Sequence, residues 1–359
     1  FLVPPESGTY RLGLSGSNGE MLFDGQYFVD LKNSRWNSLP TMKTVTLEKG
    51  KRYPIQVTMN SHINTGIDLM WKRVSADADA ALADAATQSD VIVAVVGLTS
   101  DLEAEETPVK VPGFEGGDKT TLDLPADQIA LLEKARALGK PLVVVAMNGS
   151  PINLAWAKDN AAAIVEAWYP GQNGGLAVAN VLSGKTNPSG RLPLTFYKSI
   201  DELPPFGDYS MAGRTYRYFT GTPVYGFGYG LSYTQFAYEP LRVEASGDAS
   251  QGVRVSTSIR NVGQRPGEEV AQLYLDFPDV PGTPRIALRG FQRVDLKPGE
   301  SRAVNFDLSP HDLSAVSLEG VRQVFAGDYR VSVGSAQPDS GLPVQSASFT
   351  IRTGVALPK

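Results

Sequence analysis

The run Val91-Ile-Val-Ala-Val-Val96 is apolar at every position. A strand with one wet face alternates apolar and polar residues. An unbroken run therefore predicts a strand covered on both faces, as in a parallel sheet layered with helices. Its neighbours keep that rhythm. Ala76–Gln88 is alanine-rich, with apolar positions spaced for one buried helical face, and it leads straight into Asp90–Val96. Pro125–Leu138 reads as an amphipathic helix stopped by Gly139. Pro141–Met147 reads as a second buried strand, Ile152–Lys158 as helical, Ala162–Trp168 as a third strand and Gly174–Leu182 as a helix. The alternation calls for an α/β layered sheet over residues 75–232. The binding crevice of such a sheet lies at the C-terminal strand ends, where Gly97–Asp118, Asn148–Pro151 and Tyr169–Asn173 emerge.

Both flanks change period. In residues 1–74, short alternating runs at Thr9–Leu14, Glu20–Phe23, Tyr27–Leu31, Thr44–Leu47, Arg52–Met59 and Gly66–Lys72 predict strands. Asp24-Gly25 between two of them is a hairpin signal. This stretch reads as a β sandwich or barrel whose first strands are missing. Residues 233–359 again break into short strands, at Leu241–Ala245, Gly252–Asn261, Glu269–Phe277, Ala287–Leu296, Arg302–Leu308 and Gly327–Val333. Turn clusters at Gln264-Arg-Pro-Gly267 and Lys297-Pro-Gly-Glu300 separate strands, the pattern of an immunoglobulin-like sandwich of roughly 100 residues.

Composition narrows the function classes. Of 359 residues, 42% are hydrophobic and 20% charged, and the net charge is −5. That is an ordinary globular balance with no basic run, so a nucleic-acid partner is not indicated. There are no cysteines, which excludes disulfides and thiolate metal sites. The two histidines, His62 and His311, are far apart, which speaks against a histidine metal cluster or a Ser-His-Asp triad. No apolar stretch approaches the roughly 20 residues of a membrane span. The opening Phe1-Leu-Val-Pro-Pro5 is neither an initiator methionine nor a signal peptide, and reads as cut from within a longer polypeptide.

Four strings, in this order, carry a resemblance. They are Trp168-Tyr-Pro-Gly-Gln-Asn-Gly-Gly175, Gly184-Lys-Thr-Asn-Pro-Ser-Gly-Arg-Leu-Pro-Leu-Thr-Phe196, Tyr216-Arg-Tyr-Phe219 and Tyr225-Gly-Phe-Gly-Tyr-Gly-Leu-Ser-Tyr-Thr-Gln-Phe236. Together they resemble glycoside hydrolase family 3, in the branch of β-xylosidases and β-glucosidases. The resemblance covers essentially the whole chain. It implies a partial protective-antigen-type β module at 1–74, the family's C-terminal α/β sandwich domain at 75–232 and a fibronectin type III-like domain at 233–359. The family's N-terminal (β/α)₈ barrel, which carries the nucleophilic Asp, has no counterpart in this sequence.

Retaining glycoside hydrolysis needs two carboxyl groups about 5–5.5 Å apart, one attacking carbon and one shuttling a proton. In the resembled family they come from different domains, and the acid/base Glu lies in a loop after an apolar strand of the α/β domain. Here that loop contains Glu103-Ala-Glu-Glu106 and Glu115-Gly-Gly-Asp-Lys119. The resemblance assigns the acid/base to Glu105, second in Glu103-Ala-Glu105. Asp118-Lys119 stands where the family has Asp-Arg, after an insertion. Glu115, just ahead of that pair, is the chief rival, with Glu103 and Glu106 behind it. Neighbouring carboxylates and burial under a sugar would raise one such pKa toward the working pH. The plainer alternative is that these glutamates are solvated charges in a polar loop. Asp118 and Lys119 could orient a substrate hydroxyl, and Trp168 and Tyr169 could stack on a sugar, although aromatics at a strand exit more often pack beneath a loop. Asn18, Asp24 and Trp36 resemble hairpin-loop residues of a sugar-binding module. Gly226, Gly228 and Gly230 lack the context of a phosphate loop and read as close-packing positions at the junction with the sandwich.

The resemblance thus implies the C-terminal portion of a retaining exo-β-glycosidase acting on β-linked oligosaccharides or aryl glycosides, with β-xylosidase preferred over β-glucosidase. No metal or organic cofactor is implied, since paired carboxyls need none. Export to the periplasm or exterior suits a polysaccharide-degrading enzyme, but no residue fixes the compartment. The competing reading is a non-catalytic carbohydrate-binding or interaction protein.

Overall fold

The computed structural model describes residues 1–31, 39–60, 66–106 and 109–358. Trp36 and His62 lie outside the described residues. The chain divides into two compact units, Phe1–Gly171 and Gln172–Lys359.

The first unit begins with β1 (Gly8–Gly16), β2 (Gly19–Phe23), β3 (Gln26–Asp30), β4 (Thr41–Leu47), β5 (Ile55–Met59) and β6 (Ile67–Arg73). They form two antiparallel three-stranded sheets, ordered β4-β1-β6 and β3-β2-β5. Alternation along β1 and β2 sends Leu12, Leu14 and Met21 inward, where each is fully buried with Leu47. Asp24 and Gly25 have φ of 51° and 75°, the left-handed pair that a tight hairpin between right-twisted strands requires. Asn18 also has positive φ, 55°. Asn18 and Asp24 are thus accounted for as turn residues.

The α/β part follows with α1 (Ala78–Thr87), β7 (Ile92–Gly97), β8 (Lys110–Val111), β9 (Phe114–Glu115), β10 (Asp118–Lys119), α2 (Ala126–Ala137), β11 (Leu142–Met147), α3 (Ala155–Asn160) and β12 (Ala163–Glu166). Asp77 caps α1 by accepting from the Ala80 amide. Gly139, at φ 74°, ends α2 as expected. Strands β7, β11 and β12 are parallel in the order β12-β11-β7, with Val144 opposite Ala94 and Ile164. The central strand is almost wholly buried. Strand β7 departs from expectation. Val91, Val93 and Val95 are 45%, 47% and 57% exposed, whereas Ala94 and Val96 are buried. The pleat sends alternate side chains to opposite faces, and among the described residues of this unit only one of the two is covered. The loop after β7 also holds structure that its polar, glycine-rich sequence did not announce: β8, β9 and β10 form a small antiparallel sheet.

The second unit contains α4 (Gly174–Leu182), a 3₁₀ turn at Ile200–Glu202 and α5 (Thr215–Tyr218). Its strands are β13 (Phe236–Tyr238), β14 (Arg242–Ala245), β15 (Val253–Asn261), β16 (Gly267–Asp276), β17 (Ile286–Leu296), β18 (Ser301–Leu308), β19 (Ala315–Val316), β20 (Arg322–Val324), β21 (Gly327–Gly334), β22 (Val344–Ile351) and β23 (Val355–Ala356), with α6 (Pro310–Leu313) between β18 and β19. One sheet holds β13, β14 and β18 around β15, and the other runs β17-β16-β21-β22. Their inner faces bury one core that includes Val255, Ile259, Leu273, Val304 and Val331. This is the expected β-sandwich, and β22 adds a strand not foreseen. The Tyr329 hydroxyl is tied to the Phe325 backbone at 3.0 and 3.1 Å, a corner device of immunoglobulin-like sandwiches.

Candidate functional site

The expected crevice is at the C-terminal ends of β7, β11 and β12, and one side chain ties the three strand exits together. Glu103, in the loop after β7, accepts a hydrogen bond from the Gly149 amide at 3.0 Å. It also accepts from the Ser150 hydroxyl and from the Tyr169 hydroxyl. Gly149 and Ser150 follow β11, and Tyr169 follows β12. Glycine is required at 149 by space: a Cβ there would lie 2.5 Å from the Tyr169 ring and 3.0 Å from a Glu103 oxygen. Tyr169 is 45% exposed as a residue, while its hydroxyl end meets Glu103. Burial first, and then the bond to Glu103, push this phenol well above its ordinary value. Tyr169 therefore acts here as a hydrogen-bond donor that braces the loop.

Lys119 joins the same cluster from β10. Its ammonium donates to the Pro151 carbonyl at 2.5 Å. Burial lowers its pKa, opposed by the nearby Glu103 carboxylate. The loop start is fixed as well. Gln128 of α2 bonds both backbone groups of Gly97, at 2.7 and 2.8 Å, and the Glu103 amide bonds back to Thr99 at 3.2 Å.

Glu105 contrasts with Glu103. It is exposed, and among the described residues its carboxylate has no hydrogen-bond or ion-pair partner. Its backbone is nevertheless closely approached. Gly117, at φ 90°, sits so close that a Cβ would fall 1.6 Å from the Ala104 carbonyl oxygen and 3.3 Å from the Glu105 nitrogen. Glu106 follows at φ 54°, a left-handed conformation uncommon for a residue with a side chain. Glu115 is exposed on β9, where it faces Lys110 on β8 and Asp118 on β10. Asp118 is exposed too. The structure thus gathers Glu103, Lys119 and Tyr169, presents Glu105 beside them along the chain, and leaves Glu115 and Asp118 on the small sheet. Trp168 is half-buried at φ 54°.

Sequence reasoning missed Glu166 and Asn148. Glu166 ends β12, and burial raises its pKa from 4.5 to about 7, against the lowering influence of the Trp168 amide and the Asn148 side chain. Asn148, directly after β11, is fully buried. The signal was a carboxyl placed inside the otherwise apolar run Ala162–Trp168, which a buried strand does not accept without a partner.

In the second unit the motif strings have a packing role. Arg191 and Glu269 form an ion pair at 2.8 Å, with side chains 8% and 1% exposed. Arg191 also donates to the backbone carbonyls of Ser335, Ser189 and Gly190, each at 3.1 Å. A Cβ on Gly228 would lie 2.1 Å from Gln272 Oε1, and one on Gly230 would lie 2.2 Å from the Gly190 carbonyl. These glycines are close-packing positions, as read from the sequence. An open cleft of about 1030 Å³ in this unit is lined by Asn187, Glu268, Asp295, Lys297, Glu300 and Arg302 among others. It has no aromatic platform and none of the loop glutamates, so its size is not an argument for chemistry. Among the described residues no group of three or more His, Asp or Glu is placed to hold a metal. No helix among them is long and apolar enough to cross a membrane.

Comparison with known proteins bears on the family and the fold. Residues 9–233 match the glycosyl hydrolase family 3 C-terminal domain, and residues 269–337 match the fibronectin type III-like domain. A xylan 1,4-beta-xylosidase from Xylanibacter ruminicola is 37% identical over 94% of this chain and 39% of its own length. A periplasmic beta-glucosidase from Salmonella typhimurium is 37% identical over 65% of the chain and 31% of its own length. The crystal structure of a β-glucosidase from Kluyveromyces marxianus in complex with glucose superimposes with a TM-score of 0.82 at 28% identity, covering 99% of this chain and 44% of that one. The chain therefore spans less than half the length of these relatives.

Proposed function

The chain belongs to glycosyl hydrolase family 3, and from that premise we propose that it is the C-terminal portion of a retaining exo-β-glycosidase, in which it supplies the general acid/base. Its substrates are terminal β-linked sugars of oligosaccharides or aryl glycosides, with β-xylosides ahead of β-glucosides. The proton donor is Glu105. The nucleophile comes from a (β/α)₈ barrel outside these 359 residues.

One observation carries this reading. Glu103 is consumed by three hydrogen bonds that tie strand exits together, while Glu105, two residues on, is exposed and without a partner among the described residues. A proton shuttle must reach the glycosidic oxygen and then the incoming water, which a carboxylate already saturated with donors does poorly. Glu115 faces a lysine and an aspartate across short strands, a setting suited to a surface sheet. The relatives' names divide between xylosidases and glucosidases, and the one that is 37% identical over 94% of this chain is a xylosidase, which supports the xyloside preference.

The test is a pair of variants in the polypeptide that carries this chain together with the barrel. Glu105→Ala should slow aryl glycosides with poor leaving groups far more than those with good ones. Azide should restore part of the loss with good leaving groups, because a small anion attacks the glycosyl-enzyme without general-base help. If Glu115→Ala shows that behaviour and Glu105→Ala does not, the donor is Glu115. The 359-residue chain alone should not turn over aryl β-xylosides or β-glucosides, and measurable retaining hydrolysis by it would refute the division of labour.

A further inference from the structure

Behind the loop cluster, at the exits of β11 and β12, lies a polar arrangement that the proton-donor reading does not use. Asn148 is completely buried, and its Nδ2 donates to the Ser150 carbonyl at 3.0 Å. Its Oδ1 is buried with no partner among the described residues, and so is Oε2 of Glu166. The two side chains are near enough that Asn148 acts on the Glu166 carboxyl, opposing the effect of its burial. Two adjacent buried acceptors without a donor are costly, and an ionised carboxylate there would be costlier still. One proton on Glu166 removes most of the difficulty, since a carboxylic acid donates through its hydroxyl and no longer carries a buried charge.

Both residues hold backbone that matters. Asn148 anchors Ser150, and Gly149 and Ser150 donate to Glu103. The other Glu166 oxygen, Oε1, accepts from the Trp168 amide at 3.4 Å. That contact sits where Trp168 turns through a left-handed φ of 54°, immediately before Tyr169, the third donor to Glu103. We propose that Glu166 is a positioning residue: working as a neutral acid beside Asn148, it fixes the two strand exits whose donors hold Glu103 and, through it, the loop that presents Glu105. The inference rests on the proton-donor reading of that loop, because it assigns Glu166 the task of placing the donor.

The elevated pKa of Glu166 supports a neutral working form, and its cause is burial. The charged groups of the adjoining segments are Asp101 and Glu103 in the loop after β7 and Lys119 on β10. Asp101 and Glu103 act on Tyr169, and Glu103 also acts on Lys119. The influences on Glu166 are desolvation, the Trp168 amide and the Asn148 side chain.

Two measurements test the proposal. The first uses the 359-residue chain without substitution. Carboxyl carbon resonances of its glutamates are followed by NMR as a function of pH, together with the amide resonances of Gly149 and Trp168. One glutamate should titrate near neutrality, the Gly149 and Trp168 amides should move with the same midpoint, and Glu166→Gln should abolish all three changes. A Glu166 that titrates in the ordinary carboxylate range, or amides that ignore its titration, overturns the inference. The second uses the barrel-containing polypeptide. Glu166→Ala should lower kcat by about 10- to 100-fold through a misplaced donor with little change in KM, and Glu166→Gln, which keeps a neutral group with a donor, should recover most of that loss. Equal loss in both variants would mean that a carboxylate is required, against the proposal. Should the unsubstituted polypeptide fail to hydrolyse any β-glycoside, the enzymatic reading falls, while the coupling of Glu166 to Gly149 is judged by the first measurement.

Discussion

The buried ion pair between Arg191 and Glu269 gives the sharpest energetic prediction. Arg191 belongs to the string Gly190-Arg-Leu-Pro193, a family signature that could be taken for part of a catalytic centre. In the structure it is packing hardware. Glu269 is 1% exposed and Arg191 8% exposed, so neither charge can turn to water. Replacing Arg191 by Met leaves a buried carboxylate without its cation and removes three hydrogen bonds to backbone carbonyls. Breaking one side of such a pair costs about 3–5 kcal/mol. For a unit the size of Gln172–Lys359, each kcal/mol moves Tm by about 2–4 °C. The expected loss is therefore about 6–20 °C, read by calorimetry or near-ultraviolet circular dichroism as a shift in the transition of the C-terminal unit. The double change Arg191→Met with Glu269→Leu should recover much of that loss, because apolar pairs of similar volume replace buried ion pairs at little cost. Arg254 and Asp307 serve as the control. They also pair, at 2.6 Å, but both are more than half exposed, so Arg254→Met should leave the melt within replicate scatter. The reasoning is refuted if Arg191→Met shifts Tm by less than about 2 °C, or if the double variant melts below the single one.

Three further outcomes follow from the first unit. Gly149→Ala has no unusual φ to violate, but its Cβ would collide with the Tyr169 ring at 2.5 Å. It should destabilise by about 1–3 kcal/mol, measured by urea unfolding, and should shift the Tyr169 hydroxyl away from Glu103 in a crystal structure. Gly117→Ala combines a left-handed φ of 90° with a 1.6 Å clash on the Ala104 carbonyl, so proteolysis within the loop after β7 should accelerate while α2 and β11 keep their hydrogen-exchange protection. The third concerns pH. Glu166 binds its proton more tightly folded than unfolded, so its contribution is fully present below about pH 4.5 and is lost as pH rises through about 7. The gap between those values corresponds to about 3 kcal/mol. Glu166→Gln should remove that decline from a plot of stability against pH, and a decline of the same size in the Gln variant would place its origin elsewhere.

Much of the architecture was legible because it depends on period. Alternation gave the β1 and β2 faces, and Asp24-Gly25 gave its turn because few residue pairs accept two successive positive φ values. The unbroken run at 91–96 correctly marked a parallel strand yet misjudged its surroundings. Period tells how many faces of a strand can be buried, whereas coverage depends on which elements reach it, and Val91, Val93 and Val95 remain exposed among the described residues. The small sheet of β8, β9 and β10 escaped notice because strands of two residues have no period to read. Glu166 was legible in principle, as a charge in an apolar run. Its closeness to Asn148 was not, since Asn148 follows β11 and Glu166 ends β12, and only the fold sets the two strands side by side.

Glu103 marks the deepest limit of sequence reasoning in this loop. Three glutamates in four positions, at 103, 105 and 106, are chemically equal until the strand exits are brought together. Folding then separates their tasks by the number of donors that each meets. A carboxylate that accepts from an amide, a serine and a tyrosine is fixed in place. That fixation bears on its neighbour: the Glu103 side chain is tied to Gly149, Gly117 packs closely against the Ala104 carbonyl, and Glu105 beside them is exposed. A proton donor that serves two half-reactions needs this combination of a rigid base and a free carboxyl. Hence Glu103→Gln, which keeps the shape but weakens acceptance from all three donors, should reduce kcat of the barrel-containing polypeptide for good and poor leaving groups alike. Glu105→Ala should discriminate between them. If Glu103→Gln instead shows the strong leaving-group dependence, the anchored glutamate is itself the proton donor and the assignment of the two residues must be exchanged.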